Sequence, residues 1–177
     1  MIAKFFSLFF IFISLLIVRS ITAANVLVGY NQLKHSTLLK KVLFDEGDYQ
    51  YFLMQHDSNV DYVVRLLECQ NEILIYEADS DPIGVICFKQ SPLPSLGYIH
   101  YIGVLPEYRR LGVAAAMVIA TVRSLIKRGV TLMYVMVIKN KSEGALLCNR
   151  FGGKVFNTTD NFIIYQFNKK DFEESIA

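Results

Sequence analysis

The stretch Val104-Leu-Pro-Glu-Tyr-Arg-Arg-Leu-Gly-Val-Ala114 constrains this chain more than any other part of it, because it joins a strand pattern to a helix pattern through a proline turn and a glycine. Before it, Tyr98-Ile-His-Tyr-Ile-Gly-Val104 is aromatic and β-branched, as strands are. After it, Val113 to Lys127 is apolar and rich in Ala, as buried helices are. The junction therefore falls at a helix start, where first-turn amides lack intrahelical acceptors and the helix dipole places partial positive charge. Gly112 and Ala114 carry too little side chain to keep a phosphate away from that backbone, and Arg109 and Arg110 add charge beside it. The alternative is an ordinary turn with two solvated arginines; the strand before and the long apolar helix after favour the anion site.

Arg109-Arg110-Leu111-Gly112-Val113-Ala114 resembles the pyrophosphate loop of the GNAT family, the acetyl-CoA-dependent N-acyltransferases, whose loop reads Gln/Arg-x-x-Gly-x-Gly/Ala after a strand. Downstream, Thr131-Leu-Met-Tyr-Val-Met-Val137 reads as the next strand, and Asn140 to Phe151 resembles the short helix that lies beside the coenzyme's thiol arm. The resemblance covers Val26 to Phe167 and is strongest from Tyr98 to Gly153. It implies an α/β (α+β) fold: a mixed, mostly antiparallel central sheet of about six to seven strands flanked by about four helices, splayed between the fourth and fifth strands. It also implies transfer of an acetyl group from acetyl-CoA to a primary amine of a small molecule, peptide or protein. The residues it assigns to the coenzyme are Ile102, Gly103 and Val104 for the arm, Arg109 to Ala114 (Arg109, Arg110, Leu111, Gly112, Val113, Ala114) for the pyrophosphate, and Asn140 near the thiol. Gly103 has two readings, a site of strand distortion or simple tight packing.

The chemistry needs an uncharged amine, a stabilised oxyanion and a proton for the departing thiolate. Met136 stands where many relatives carry a carboxylate, which leaves His100 on the earlier strand as the candidate base, with an unperturbed pKa near 6.5. Strand alternation puts His100 on the face of Tyr98 and Ile102, opposite Tyr101. Its other reading is a hydrogen-bonded histidine on the far face of the sheet. The family's proton donor is a Tyr seven residues after an Asn. Here those places hold Cys148 and Lys141, with Asn140 one residue early. Cys148 is then either a weak acid or a small packing residue. Tyr134, His56, Asp57 and Tyr62 are candidates for the acceptor side. Because of Met136, Lys141 and Cys148, the alternative function is a catalytically degenerate acyl-CoA-binding module, membrane-attached or exported.

A chain of 177 residues that is 53% hydrophobic can build one sizeable core. Its net charge of +2 is nearly balanced and its basic residues are scattered, so nucleic acid is not indicated. Cys69, Cys87 and Cys148 have neither metal-ligand spacing nor a disulfide count, and no metal is expected. An odd number of thiols suits a reducing compartment. The N-terminus points the other way. Residues 5–18 are an apolar run of fourteen, interrupted only by Ser7 and Ser14, after a basic start and before small and polar residues. That reads as a secretory signal with cleavage after Ala24, or as an uncleaved membrane anchor. The globular domain is expected over residues 25–177.

The remaining elements follow from periodicity. Strands are expected at Val26–Gly29, Ile73–Glu77, Ile83–Lys89, Lys154–Asn157 and Phe162–Phe167, and helices at Thr37–Phe44 and Ser58–Leu67. Ala78 to Pro82 reads as a hairpin connection and Ser91 to Gly97 as a loop. The charged tail from Lys169 to Glu174 is expected to be frayed.

Overall fold

Alternating and β-branched segments supply seven strands, and amphipathic segments supply the helices that cover them. The computed structural model describes residues 25–45 and 60–177. The segment read as a signal or anchor, residues 1–24, lies outside the described residues, as do His56 and Asp57. Chain order is β1 (Val26–Gly29), α1 (Gln32–Asp45), α2 (Val60–Gln70), β2 (Glu72–Ala78), β3 (Asp81–Gln90) and β4 (Leu96–Val104). A 3-10 turn (Pro106–Tyr108) then leads to α3 (Val113–Lys127), β5 (Leu132–Ile138), α4 (Ser142–Arg150), β6 (Lys154–Thr158), β7 (Phe162–Asn168) and α5 (Lys169–Ser175). Among the described residues no helix is long and apolar enough to cross a membrane.

The sheet runs β1-β2-β3-β4-β5-β7-β6. Every neighbouring pair is antiparallel except β4–β5, which is parallel because α3 carries the chain back across the sheet between them. This is the mixed, mostly antiparallel sheet expected from the sequence. Two cores form, one on each face. Ile86, Phe88 and Ile99 pack with Met117, Val122 and Leu125 of α3, while Leu39 and Val42 of α1 and Leu67 of α2 cover Ile75, Val85 and Cys87.

Two expectations are corrected. Pro82 belongs to β3, opposite Glu77, and the hairpin turns on Asp79 and Ser80 alone, both at positive φ (53° and 71°). Such a turn matches the right-handed twist of its strands, and the register shift at Tyr76/Glu77 accommodates a residue with no N–H. The expected frayed tail is helix α5, the fifth helix among the described residues where about four were anticipated. Its Phe172 is fully buried against Phe151, and the Asn168 side chain caps it by accepting from the Asp171 N–H at 2.8 Å. Burial of one aromatic outweighs the surrounding charge.

Among the described glycines, Gly153 at the join from α4 to β6 leaves the least room for a Cβ. A Cβ on Gly153 would lie 2.6 Å from the Phe167 ring and 2.9 Å from the Cys148 carbonyl oxygen, which already accepts the Gly153 N–H. Gly153→Ala is therefore expected to cost about 2–3 kcal/mol and to lower the thermal midpoint by roughly 5–10 °C. A circular-dichroism melt checks this; an unchanged midpoint would show that the junction yields freely.

Candidate functional site

β4 and β5 begin as partners and then part. They pair from Leu96↔Leu132 to Ile99↔Val135 and no further, although β4 continues to Val104 and β5 to Ile138. The cause lies on the other edge of β4. There Cys87 pairs with Tyr101 and Phe88 with Ile99, so His100 is an extra residue in the ladder. A bulge bends its strand and increases local twist, which swings the rest of β4 away from β5. The bulge also breaks the expected alternation. His100 remains beside Tyr98, with ring centroids 5.9 Å apart, but Tyr101 turns into the α1–α2 core and Ile102 packs on the α3 side. Gly103 is not where the strand distorts. A Cβ there would lie 3.0 Å from Val42 and 2.9 Å from the Tyr101 hydroxyl, so its role is close packing of α1 on the sheet.

The opening presents backbone. Leu105 donates its N–H to the Ile83 carbonyl at 3.0 Å, which makes Gly84↔Val104, and by alternation Ile86↔Ile102, non-hydrogen-bonded pairs. The N–H and C=O groups of Ile102 and Val104 therefore aim away from β3 and into the gap. The Val104 carbonyl accepts from Arg109 Nε at 3.1 Å, which ties the following loop to the end of the strand.

The loop that follows is bent by left-handed residues. After the Pro106–Tyr108 turn, Arg110 and Gly112 both take positive φ, 62° and 84°. Turns with left-handed residues at a helix start are a backbone setting in which anions are often bound. Gly112 is the N-cap of α3 and, among the described residues, no side chain caps the helix. Arg109, Arg110, Leu111 and Gly112 are exposed, Ala114 is half-buried, and buried Val113 anchors the helix start in the core. Holding a non-glycine residue at positive φ costs on the order of 1 kcal/mol, a strain that Arg110 bears in this loop.

The structure thus gathers Ile102, Gly103, Val104 and Arg109 to Ala114 around one end of the opening. Asn140 lies just beyond the end of β5, exposed on the turn where the Lys141 N–H bonds the Ile138 carbonyl at 2.9 Å. Cys148 is elsewhere: its residue is 4% exposed within the α3-side core, and burial pushes its thiol up to about 12. It packs rather than faces the gap. His100, at the apex of the opening, is pushed down to about 4, first by desolvation and then by the nearby Lys89 ammonium. Its imidazole is neutral at pH 7.

An aromatic surface borders His100 that the sequence reading only touched through Tyr134. Tyr98 stacks on Tyr134 at 6.0 Å, and Phe156 meets Tyr134 edge-on at 5.1 Å. Phe156 reaches this place as the extra residue where Val155 pairs with Tyr165 and Asn157 with Ile164. No periodicity signals that. Tyr62 lies on α2, and Met136 of β5 is exposed. Among the described residues no cluster of three or more His, Cys, Asp or Glu could hold a metal ion.

A family model described as Acetyltransferase (GNAT) family matches residues 35–152. No curated protein matches the chain in sequence. Among solved structures, the PaiA N-acetyltransferase from Thermoplasma acidophilum in complex with coenzyme A is 16% identical, with a TM-score of 0.65 over 82% of this chain and 99% of that one. Ard1 from Thermoplasma volcanium is 14% identical, with a TM-score of 0.65 over 82% and 98%. An acetyltransferase from Thermus thermophilus is 15% identical, with a TM-score of 0.65 over 84% and 98%. At these identities the structural likeness is one of fold.

Proposed function

The chain belongs to the GNAT acetyltransferase family, and on that premise we propose that it transfers an acetyl group from acetyl-CoA to a primary amine. The observation that carries this reading is the parting of β4 from β5 immediately beside the uncapped start of α3. A gap edged by outward-facing strand backbone takes an extended amide-bearing arm as though it were a strand. The loop and helix start from Arg110 to Ala114 then take two adjacent phosphates, with charge from the exposed arginines. That the PaiA enzyme of the same fold was solved with coenzyme A supports the assignment.

Seated in this way, the arm brings its thioester to the apex of the opening, at His100. The amine nitrogen attacks the carbonyl carbon, and the negative charge gathers on oxygen in the addition intermediate. The positively charged nitrogen of that intermediate gives a proton to neutral His100. As the carbon–sulfur bond breaks, the electron pair leaves on sulfur. With its pKa pushed down to about 4, His100 is a weak base that holds the proton only in passing and hands it on to the thiolate. His100 therefore serves both steps and Cys148 neither.

Calorimetric titration of the purified chain with acetyl-CoA, followed by thiol release with a panel of primary amines, tests the proposal. Saturable binding and amine-dependent thiol release are expected. Binding without release would favour an acyl-CoA-binding module, a reading to which Met136 and the buried Cys148 lend support. No binding would remove both.

A further inference from the structure

We propose that the acceptor is a primary amine bearing an aromatic ring, seated on the ladder of Tyr98, Tyr134 and Phe156; this rests on acetyl transfer at the β4–β5 opening. Tyr98 and Tyr134 face each other in register one pair before the strands part, so their stacked rings end where the gap begins. Phe156 extends the surface across the sheet to β6, and His100 closes its other end against Tyr98. Four rings from three strands thus form one continuous surface ending at the group that meets the amine. Two of the sheet's register shifts serve it, since His100 and Phe156 are the extra residues of their ladders.

The surface is open to an occupant. Phe156 is 59% exposed, and Tyr98, His100 and Tyr134 are each partly exposed. An aromatic guest gains both area and ring geometry here, by offset stacking or edge contact on faces already aligned. Charge argues against the other common class of amine. The charged residue acting on His100 is the cation Lys89, which sits opposite Tyr98 in the β3–β4 register. A polyamine would bring further positive charge to a place that already disfavours it, while a single amine on an aromatic ring can enter uncharged and rest its ring on the ladder.

The test uses the full chain loaded with coenzyme A and titrated calorimetrically with 2-phenylethylamine, butylamine and spermidine. Phenylethylamine is expected to bind about tenfold more tightly than butylamine, and spermidine no better than butylamine. Phe156→Ala, at a position 59% exposed, should lower phenylethylamine affinity about fivefold and leave butylamine and coenzyme A unchanged. Tyr134→Leu should do the same. Equal affinities, or a preference for spermidine, would overturn the aromatic assignment while leaving acetyl transfer standing. Failure to load coenzyme A would overturn both.

Discussion

Replacing Gly112 with aspartate is expected to raise the dissociation constant for acetyl-CoA about a hundredfold while moving the thermal midpoint by no more than a few degrees. The stability side is a small cost. Aspartate tolerates left-handed backbone better than most residues, which limits the strain of φ 84° to about 1 kcal/mol. A Cβ at Gly112 meets nothing within 4 Å, so there is no clash. The binding side is one-sided. The new carboxylate caps the amides that phosphate would otherwise use, and it repels the phosphates that approach. Adding Arg110→Gly should weaken binding further while relieving a strained residue, so that stability and affinity move in opposite directions. Unchanged affinity in the double variant would place the pyrophosphate elsewhere.

His100→Ala should lower kcat about a hundredfold and leave the acetyl-CoA dissociation constant within about twofold, since in the mechanism we propose the proton transfers fall on His100 and backbone grips the coenzyme. Unchanged kcat would remove His100 from the chemistry. The His100 ring proton signal should titrate near pH 4 by NMR rather than near 6.5, and Lys89→Met should raise that midpoint by removing a neighbouring cation. The sign for stability follows. Between pH 6.5 and about 4 the unfolded chain holds a proton on this histidine that the folded chain does not, so folding weakens as pH falls through that window. The His100→Ala protein should lose that acid-side slope. A midpoint near 6.5 in the parent would mean that the ring is solvated and not at the enclosed apex.

The loop we assign to the pyrophosphate was legible as a candidate because its demands are local. A helix start, small residues at Gly112 and Ala114 and charge at Arg109 and Arg110 are all written within six positions, and the loop takes the left-handed geometry such a glycine permits. Strands β1, β4 and β5 were equally plain from their β-branched and aromatic content. The tail after Asn168 was misread because a run dominated by charge hides one decisive residue, Phe172, whose burial depends on Phe151 arriving from another helix. Cys148 stood between two readings, a weak acid and a small packing residue, and its burial in the core favours packing. Its place on α4 came from counting, but whether a thiol faces a gap or a core depends on how the helix is rotated against the sheet.

By itself the sequence determined the order of elements from β1 to β7 and the small and charged residues of the loop before α3, since each follows from interactions between near neighbours in the chain. Only the tertiary structure decided where β4 leaves β5, that His100 and Phe156 are the extra residues in their ladders, and that Tyr98, Tyr134 and Phe156 meet. Register is a pairing between distant segments, and slipping it by one residue moves side chains from one face to the other. No pattern along a single strand records which partner residue will be skipped.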